Sequence, residues 1–146
     1  MKALVINGPN LNMLGKRNKE HYGTLTLKEI KNLIESSFSN VSFTFFQSNH
    51  EGAIIDRLQN EEDYDFLLIN PGAFAHYSYA IRDAFELVKI KKGVCHLSDI
   101  SKRENFRKID LLKDLADVYI TGLKEESYIV ATQKLIKLLK GEIKND

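Results

Sequence analysis

The stretch ALVINGPN, residues 3–10, contains the two features that decide the fold. Four apolar residues are followed at once by a turn made of amide, glycine and proline residues. The same order recurs at residues 66–72, where FLLI is followed by NPG. Short apolar runs that end abruptly in turn residues are typical of buried strands in a parallel sheet. Both stretches therefore predict a strand with a polar loop at its carboxyl end.

Three further apolar runs predict the remaining strands, and they occupy residues 41–46, 94–97 and 118–120. Strands that alternate with helices imply a parallel sheet with right-handed crossovers. Five strands favour an α/β fold of the flavodoxin-like type, a three-layer sandwich with strand order 2-1-3-4-5, because a barrel needs more units. The one cysteine, Cys95, lies in an apolar run, so we expect a buried thiol and no internal disulfide.

Between the strands, apolar residues return every three or four positions, which predicts amphipathic helices that pack on the sheet. The clear apolar stripes begin at Leu27, Ile54, Ile81 and Tyr128. Two capping boxes predict helix starts, at Thr26 with Glu29 and at Ser48 with Glu51. A shorter helix is expected over residues 110–116.

Composition excludes several classes of protein. A chain of 146 residues is long enough for one domain, predicted over residues 1–146. Its net charge of +1 gives no reason to expect nucleic acid or an anionic membrane as a partner. The N-terminal apolar run is too short for a signal peptide, and no apolar stretch approaches the length of about 20 residues that a membrane span needs. A cytoplasmic location is the resulting expectation.

Polar residues cluster at the carboxyl ends of the predicted strands, where open α/β sheets bind ligands. These clusters are NGPN (7–10), QSNHEG (47–52), NPG (70–72), HLSD (96–99) and TG (121–122). Each has a simpler explanation alone: turn chemistry for the amides, a solvated charge for an arginine, a structural hydrogen bond for a histidine. Because the clusters converge on one crevice, a functional site is expected there, although spacing alone does not name its reaction.

The same positions argue against rival activities. A flavin or nucleotide site needs a small-residue loop that offers backbone N–H groups to phosphate, and the loop after strand 1 instead carries a proline and bulky apolar residues. A phosphoacceptor site needs acidic residues where this chain has Asn7 and Asn70. No phosphate-binding glycine motif and no nucleophile elbow is present. With one cysteine, a Cys-rich zinc site is also excluded.

Four segments closely resemble the type II 3-dehydroquinate dehydratase family. They are NGPNLNMLGKR with YG (7–17, 22–23), FFQSNHEG (45–52), INPGAFAHYSYAIRDA (69–84) and HLSDISKRENFRK (96–108). The resemblance implies a flavodoxin-like fold, assembled as trimers that form a homododecamer. It also implies that the substrate is 3-dehydroquinate, converted to 3-dehydroshikimate in the shikimate pathway of aromatic biosynthesis. The reaction is an anti elimination of water through an enolate, with no metal or organic cofactor.

The resemblance implies four catalytic residues. Tyr22 matches the base, and because a phenol ordinarily titrates near pH 10 it needs a cation to act at neutral pH. Arg17 matches that cation, carried on a mobile lid that closes over the substrate. Asn10 matches the amide that holds a water against the developing enolate oxygen. His96 matches the general acid that protonates the leaving hydroxyl.

The resemblance also implies a set of substrate-binding residues. They are Asn70, His76 and Arg107 for the substrate hydroxyls, Leu97 and Ser98 for its carboxylate, and Asp83, which reaches the site from an adjacent subunit. Arg107 also matches a second arginine near the catalytic tyrosine. Arg103 is expected to have only a supporting or structural role.

Two positions depart from the family pattern. The family usually has a glutamate two residues before the acid histidine, and this chain has Val94. A carboxylate there would orient the imidazole of His96 and favour its protonated form. Asp99 stands where an asparagine is common, and its charge either weakens carboxylate binding or replaces the lost glutamate. These departures motivate an alternative hypothesis, a family-derived protein that has weak or no dehydratase activity and keeps a binding or assembly role.

Overall fold

The computed structural model describes residues 1–144, so residues 145–146 of the predicted domain lie outside this description. Five strands form one sheet: β1 (Lys2–Asn7), β2 (Ser42–Gln47), β3 (Phe66–Asn70), β4 (Lys91–His96) and β5 (Val118–Thr121). Every neighbouring pair is parallel, in the order β2-β1-β3-β4-β5. The predicted α/β fold and strand order are confirmed.

Helices cover both faces of the sheet. They are α1 (Lys19–Tyr22), α2 (Leu27–Ser37), α3 (Glu51–Leu58), α4 (Tyr79–Glu86) and α5 (Glu126–Leu139). The apolar stripes of α2 and α5 pack on one face, and those of α3 and α4 pack on the other, as the sequence periodicity predicts. The helix predicted over residues 110–116 is wrong, because only one 3-10 turn forms there, at Lys113–Leu115. No helix within residues 1–144 is long and apolar enough to cross a membrane.

One of the two predicted helix caps is present. Thr26 and Glu29 form the reciprocal capping box at the start of α2. The cap predicted at Ser48 is wrong, because α3 begins at Glu51 after His50. The Ser48 hydroxyl instead accepts the His50 N–H at 3.0 Å, and the Glu51 carboxylate accepts a hydrogen bond from a serine on another loop. Ser48 therefore stabilises a local turn, and only Glu51 makes a tertiary contact.

A buried polar network at the carboxyl ends of β1 and β3 connects α5 to these two central strands. The hydroxyl of Tyr128, a fully buried residue, donates to Asn7 Oδ1 at 2.5 Å and accepts from Asn70 Nδ2 at 3.0 Å. Burial raises the pKa of Tyr128 well above its usual value, so the hydroxyl stays neutral and keeps its proton to donate. Nearby, burial also raises the pKa of the Cys95 thiol, which is fully buried as predicted.

The loops after β1 and β3 pack against each other backbone to backbone. The Gly8 N–H donates to the Asn70 carbonyl oxygen at 2.8 Å. A Cβ atom on Gly8 would lie 2.3 Å from the carbonyl oxygen of Pro71, and one on Gly72 would lie 3.0 Å from that of Pro9. Gly72 also has a φ of +59°, which side-chain-bearing residues rarely adopt. The approach of these two loops therefore depends on glycine at both positions.

We expect the substitution Gly8→Ala to destabilise the protein by about 2–3 kcal/mol, because its methyl group must displace backbone atoms of the neighbouring loop. The matched control is Gly52→Ala. Gly52 lies within α3 and a Cβ there meets no atom within 4 Å, so we expect stabilisation of about 0.5–1 kcal/mol. Urea unfolding at one protein concentration measures both, and equal free energies for the two variants would contradict the packing argument.

Candidate active site

One pocket at the carboxyl ends of the strands collects most of the predicted site residues. Eight of the ten line it: Arg17, Tyr22, Asn70, His76, His96, Leu97, Ser98 and Arg107. Asn10 and Asp83 are the two that do not. The lining also includes Leu11, Gly72, Ala73, Ile100 and Arg103. The structure therefore brings together residues from segments that are distant along the chain.

Tyr22 is presented to the pocket by the short helix α1. The Asn18 side chain caps this helix by accepting the N–H groups of Glu20 and His21, at 2.9 and 3.2 Å. Gly23 ends it with a φ of +79°, so the chain turns away directly after the tyrosine. The Tyr22 hydroxyl is therefore held at the pocket by a single capped turn, a segment of the chain that the periodicity of the sequence does not reveal.

Two guanidinium groups contact Tyr22. Arg103 Nη1 lies 2.7 Å from the Tyr22 hydroxyl, and the Arg17 guanidinium lies over the ring, 3.8 Å from its centroid. Sequence reasoning gave Arg103 only a supporting role and matched Arg107 to the arginine near the tyrosine. In the structure Arg103 makes the direct hydrogen bond, whereas the Nε of Arg107 donates to Glu104 at 3.1 Å. Arg103 therefore belongs in the site.

The three arginines make the pocket strongly positive. Burial lowers the pKa of Arg17, and the nearby charges of Arg107 and Arg103 lower it further, while Tyr22 acts in the opposite direction. Within residues 1–144, Arg103 Nε is the one buried side-chain nitrogen or oxygen without a hydrogen bond, although the Glu104 carboxylate lies 3.5 Å away. Such a cluster favours an anionic ligand.

Ser98 and Leu97 lie beside Arg103, at the end of β4. Arg103 Nη1, which holds the tyrosine, also lies 3.3 Å from the Ser98 hydroxyl oxygen and donates to it. Both Leu97 and Ser98 are buried. One arginine therefore connects the predicted base with the predicted carboxylate-binding serine.

Two histidines occupy the other side of the pocket. The rings of His76 and His96 stack, with their centroids 6.4 Å apart. His76 Nδ1 lies 2.7 Å from the carbonyl oxygen of Ile109, which can only accept, so Nδ1 carries the hydrogen and Nε2 is the nitrogen left for a ligand. Burial lowers the pKa of His76, which keeps this ring neutral at neutral pH.

His96 contacts a carboxylate that the sequence analysis did not identify. His96 Nε2 lies 2.7 Å from Asp110 Oδ2, and the same oxygen accepts the Tyr119 hydroxyl at 2.8 Å.

Asp99, the second position that departs from the family pattern, does not line the pocket. It caps the 3-10 helix Ile100–Lys102, where the hydrogen bond from the Ser101 hydroxyl lowers the pKa of its carboxyl. The suggestion that Asp99 replaces the missing glutamate is therefore wrong.

The remaining predicted residues differ in whether their side chains can reach a ligand in the pocket. Asn70 lines the pocket, but its amide is already bonded to Tyr128 and to the Gly72 N–H. Asn10 is exposed, with a φ of +68°, and its N–H donates to Asn49 Oδ1 at 3.0 Å. Asp83 is exposed on α4, away from the pocket of its own chain.

Sequence reasoning gave Arg103 too small a role and missed Asp110 and Tyr119 as parts of this site. Arg103 stands inside the quoted segment HLSDISKRENFRK, and its position five residues after Ser98 is a signal that was available. Asp110 and Tyr119 carry no comparable signal, since nothing in the sequence says that this aspartate is buried. Within residues 1–144 there is no group of three or more His, Cys, Asp or Glu side chains that could hold a metal ion.

Known proteins resemble this chain over most of its length. The family described as Dehydroquinase class II matches residues 1–136. A Thermotoga petrophila protein named 3-dehydroquinate dehydratase is 49% identical over 142 residues, which cover 96% of this chain and 98% of that protein. An Enterobacter protein of the same name is 50% identical over 139 residues, which cover 93% of each chain.

Solved structures agree with these relatives. The type II dehydroquinase of Butyrivibrio crossotus superposes with a TM-score of 0.90 at 45% identity, covering 93% of this chain and 97% of the other. The type II dehydroquinase of Propionibacterium acnes gives a TM-score of 0.87 at 28% identity, covering 95% and 96%. Sequence and fold thus agree, and the chain belongs to the class II dehydroquinase family.

Proposed function

We propose that this chain is a hydro-lyase that converts 3-dehydroquinate to 3-dehydroshikimate by anti elimination of water. The family match supports this reaction, and one observation in the pocket carries it. A tyrosine hydroxyl held by Arg103 lies in the same pocket as His96, which is held by Asp110. A phenol beside cations suits a base, and an imidazole beside a carboxylate suits an acid, so the two ends of the pocket have opposite roles.

The elimination begins when the Tyr22 phenolate removes the acidic proton next to the substrate ketone, which gives an enolate. Arg103 favours the phenolate through its hydrogen bond and Arg17 through its position over the ring. Asn10 holds a water against the enolate oxygen as negative charge develops there. Asn10 does not line the pocket, so it would have to approach as the lid that is expected to carry Arg17 closes.

The second step expels the hydroxyl group. The enolate electrons re-form the ketone and the new carbon–carbon double bond as the C–O bond breaks, and His96 protonates the departing oxygen to release water. Each turnover leaves Tyr22 protonated and His96 neutral, so one proton must pass back from the phenol side to the histidine through solvent. Neither step needs an organic cofactor.

Substrate binding divides between the two ends of the pocket. Leu97 and Ser98 hold the carboxylate beside the positive charge of Arg103. His76 Nε2 accepts a substrate hydroxyl, and Arg107 donates to one, with Asn70 supporting the loop between them. The alternative of a family member without activity depended on Val94 and Asp99, and nothing in the site favours it.

We expect the substitution Tyr22→Phe to lower kcat by about 100- to 10,000-fold, which is the usual contribution of a positioned base. The assay follows the ultraviolet absorbance of the conjugated enone after 3-dehydroquinate is added. Tyr64→Phe is the control, because the Tyr64 hydroxyl accepts a hydrogen bond from Arg57 and Tyr64 does not line the pocket. Retention of most activity by Tyr22→Phe would show that another group is the base.

We expect Arg103→Met to reduce kcat at neutral pH by about 10- to 100-fold, the cost of losing a hydrogen bond to a charged group. The control Lys102→Met removes a neighbouring, exposed cation whose side chain is 83% accessible. A kcat equal to that of the control would contradict the assignment.

We also propose a homododecamer built from trimers, in which Asp83 completes the site of an adjacent subunit. Asp83 is exposed on α4, and its neighbour Arg82 pairs instead with Asp114 at 2.5 Å. Light scattering gives the mass of the assembly. A cytoplasmic location stays a prediction from the sequence.

Mixed assemblies test the shared site. Tyr22→Phe and Asp83→Ala subunits are each expected to be nearly inactive, but co-refolding equal amounts should create unchanged sites at about a quarter of positions. Activity that stays at the level of the separate variants would contradict the contribution of Asp83 from a neighbour.

A further inference from the structure

The imidazole of His96 is held by a carboxylate that arrives from outside the sheet. Asp110 follows the 3-10 helix Asn105–Lys108, and its Oδ2 lies 2.7 Å from His96 Nε2. Only 1% of the Asp110 side chain and 6% of the His96 side chain are exposed. A carboxylate buried to this degree is costly unless its charge is balanced, so this contact differs in kind from a surface ion pair.

Asp110 is held in place by two further donors. Its Oδ2 accepts the Tyr119 hydroxyl at 2.8 Å, and its Oδ1 accepts the Leu112 N–H at 2.9 Å. Burial alone would favour the neutral acid, but hydrogen bonds from His96, Leu112 and Tyr119 hold the pKa of Asp110 below its usual value. Burial and the Asp110 charge raise the pKa of Tyr119, so its hydroxyl remains a donor. Asp110 is therefore a fixed, ionised acceptor.

An ionised carboxylate determines which nitrogen of His96 can act on a substrate. Because Asp110 can only accept, Nε2 must carry a hydrogen, and Nδ1 is the nitrogen left to face the pocket. No protein group within residues 1–144 forms a hydrogen bond with Nδ1. The carboxylate also stabilises the imidazolium, the form in which Nδ1 has a proton to give.

The other groups around His96 do not supply this charge. The stacked His76 is kept neutral by burial, and Arg107 contributes a positive charge to this side of the pocket. Tyr119 is neutral. Among residues 1–144, Asp110 is the one carboxylate within 4.0 Å of the His96 ring nitrogens. The residue that precedes His96 on the same face of β4 is Val94, which is apolar and fully buried.

We propose that Asp110 is the positioning residue of the general acid: it orients the His96 ring, selects Nδ1 as the proton donor and stabilises the imidazolium. This role rests on the proposed function of His96. Tyr119 and the Leu112 N–H are the supports that keep Asp110 in place. The segment 109–110 thereby orients both histidines of the pocket, His76 through the Ile109 carbonyl and His96 through the Asp110 carboxylate.

The first test does not need turnover. Nuclear magnetic resonance of the histidine rings follows the protonation of His96 with pH, and a His96→Gln variant assigns its signal among the four histidines. In Asp110→Asn the transition of the His96 signal should move to lower pH by about 1–2 units, because a negative charge in contact with the ring is lost. An unmoved transition would overturn the proposal, whether or not the protein is an active dehydratase.

The second test uses kinetics and a matched control. Asp110→Asn should lower kcat with little change in KM, and the decline of kcat on the alkaline side should begin at lower pH, by the same 1–2 units or so. The control Asp114→Asn removes a nearby carboxylate that pairs with Arg82, is 66% exposed and does not contact His96. It should behave like the unchanged protein. A rise in KM with kcat and its pH profile unchanged would overturn the proposal, because it would mean that Asp110 serves binding alone.

A carboxylate introduced at another position tests whether Asp110 acts through its charge on His96 or only supports folding. Val94 and His96 are two residues apart on β4, so their side chains share a face, and Val94 pairs in register with Tyr119. Val94→Glu in the Asp110→Asn background should return both the His96 transition and the alkaline side of the kcat profile toward their original pH. Failure to recover, in a double variant whose circular dichroism and mass match the unchanged protein, would show that a carboxylate at the ring is not what was lost.

Discussion

The hydroxyl of one buried tyrosine connects helix α5 to the ends of the two central strands beneath the pocket. The Tyr128 hydroxyl donates to Asn7 and accepts from Asn70, so α5 is joined through the sheet to the last residues of β1 and β3. In a buried network each missing partner is expensive, and the three groups therefore fix one another. Two of the three segments that line the pocket begin at these asparagines, so the carboxyl ends of β1 and β3 lie at the floor of the site.

The pocket separates charge between its two sides. Arg17 and Arg103 contact Tyr22, whereas the Asp110 carboxylate contacts His96, the proposed general acid. Two proton-transfer groups placed in opposite electrostatic environments can hold different protonation states at one pH. The fold achieves this with a strand end and the loop that follows it, since both Arg103 and Asp110 come from the segment between β4 and β5.

The sequence predicted the parts of this protein that depend on periodicity and local turn chemistry. The strands, four main helices and the crowding of polar residues at one sheet edge follow from patterns visible in the chain. Contacts between loops do not, because residue spacing does not encode which loop folds over which. The carboxylate sought beside Val94 is found sixteen positions later, at Asp110, in a segment whose apolar neighbours suggested a helix. Arg103 was visible but could not be ranked above Arg107 without the position of Tyr22.

The left-handed backbone at Asn10 limits which residues can replace it. A φ of +68° is tolerated best by glycine, asparagine and aspartate, and the role proposed for Asn10, holding a water against the enolate, calls for an uncharged amide. Only asparagine belongs to both sets. Each substitution at this position therefore loses one of the two properties. Glycine and aspartate keep the backbone conformation but lose the amide, whereas glutamine keeps the amide but strains the turn.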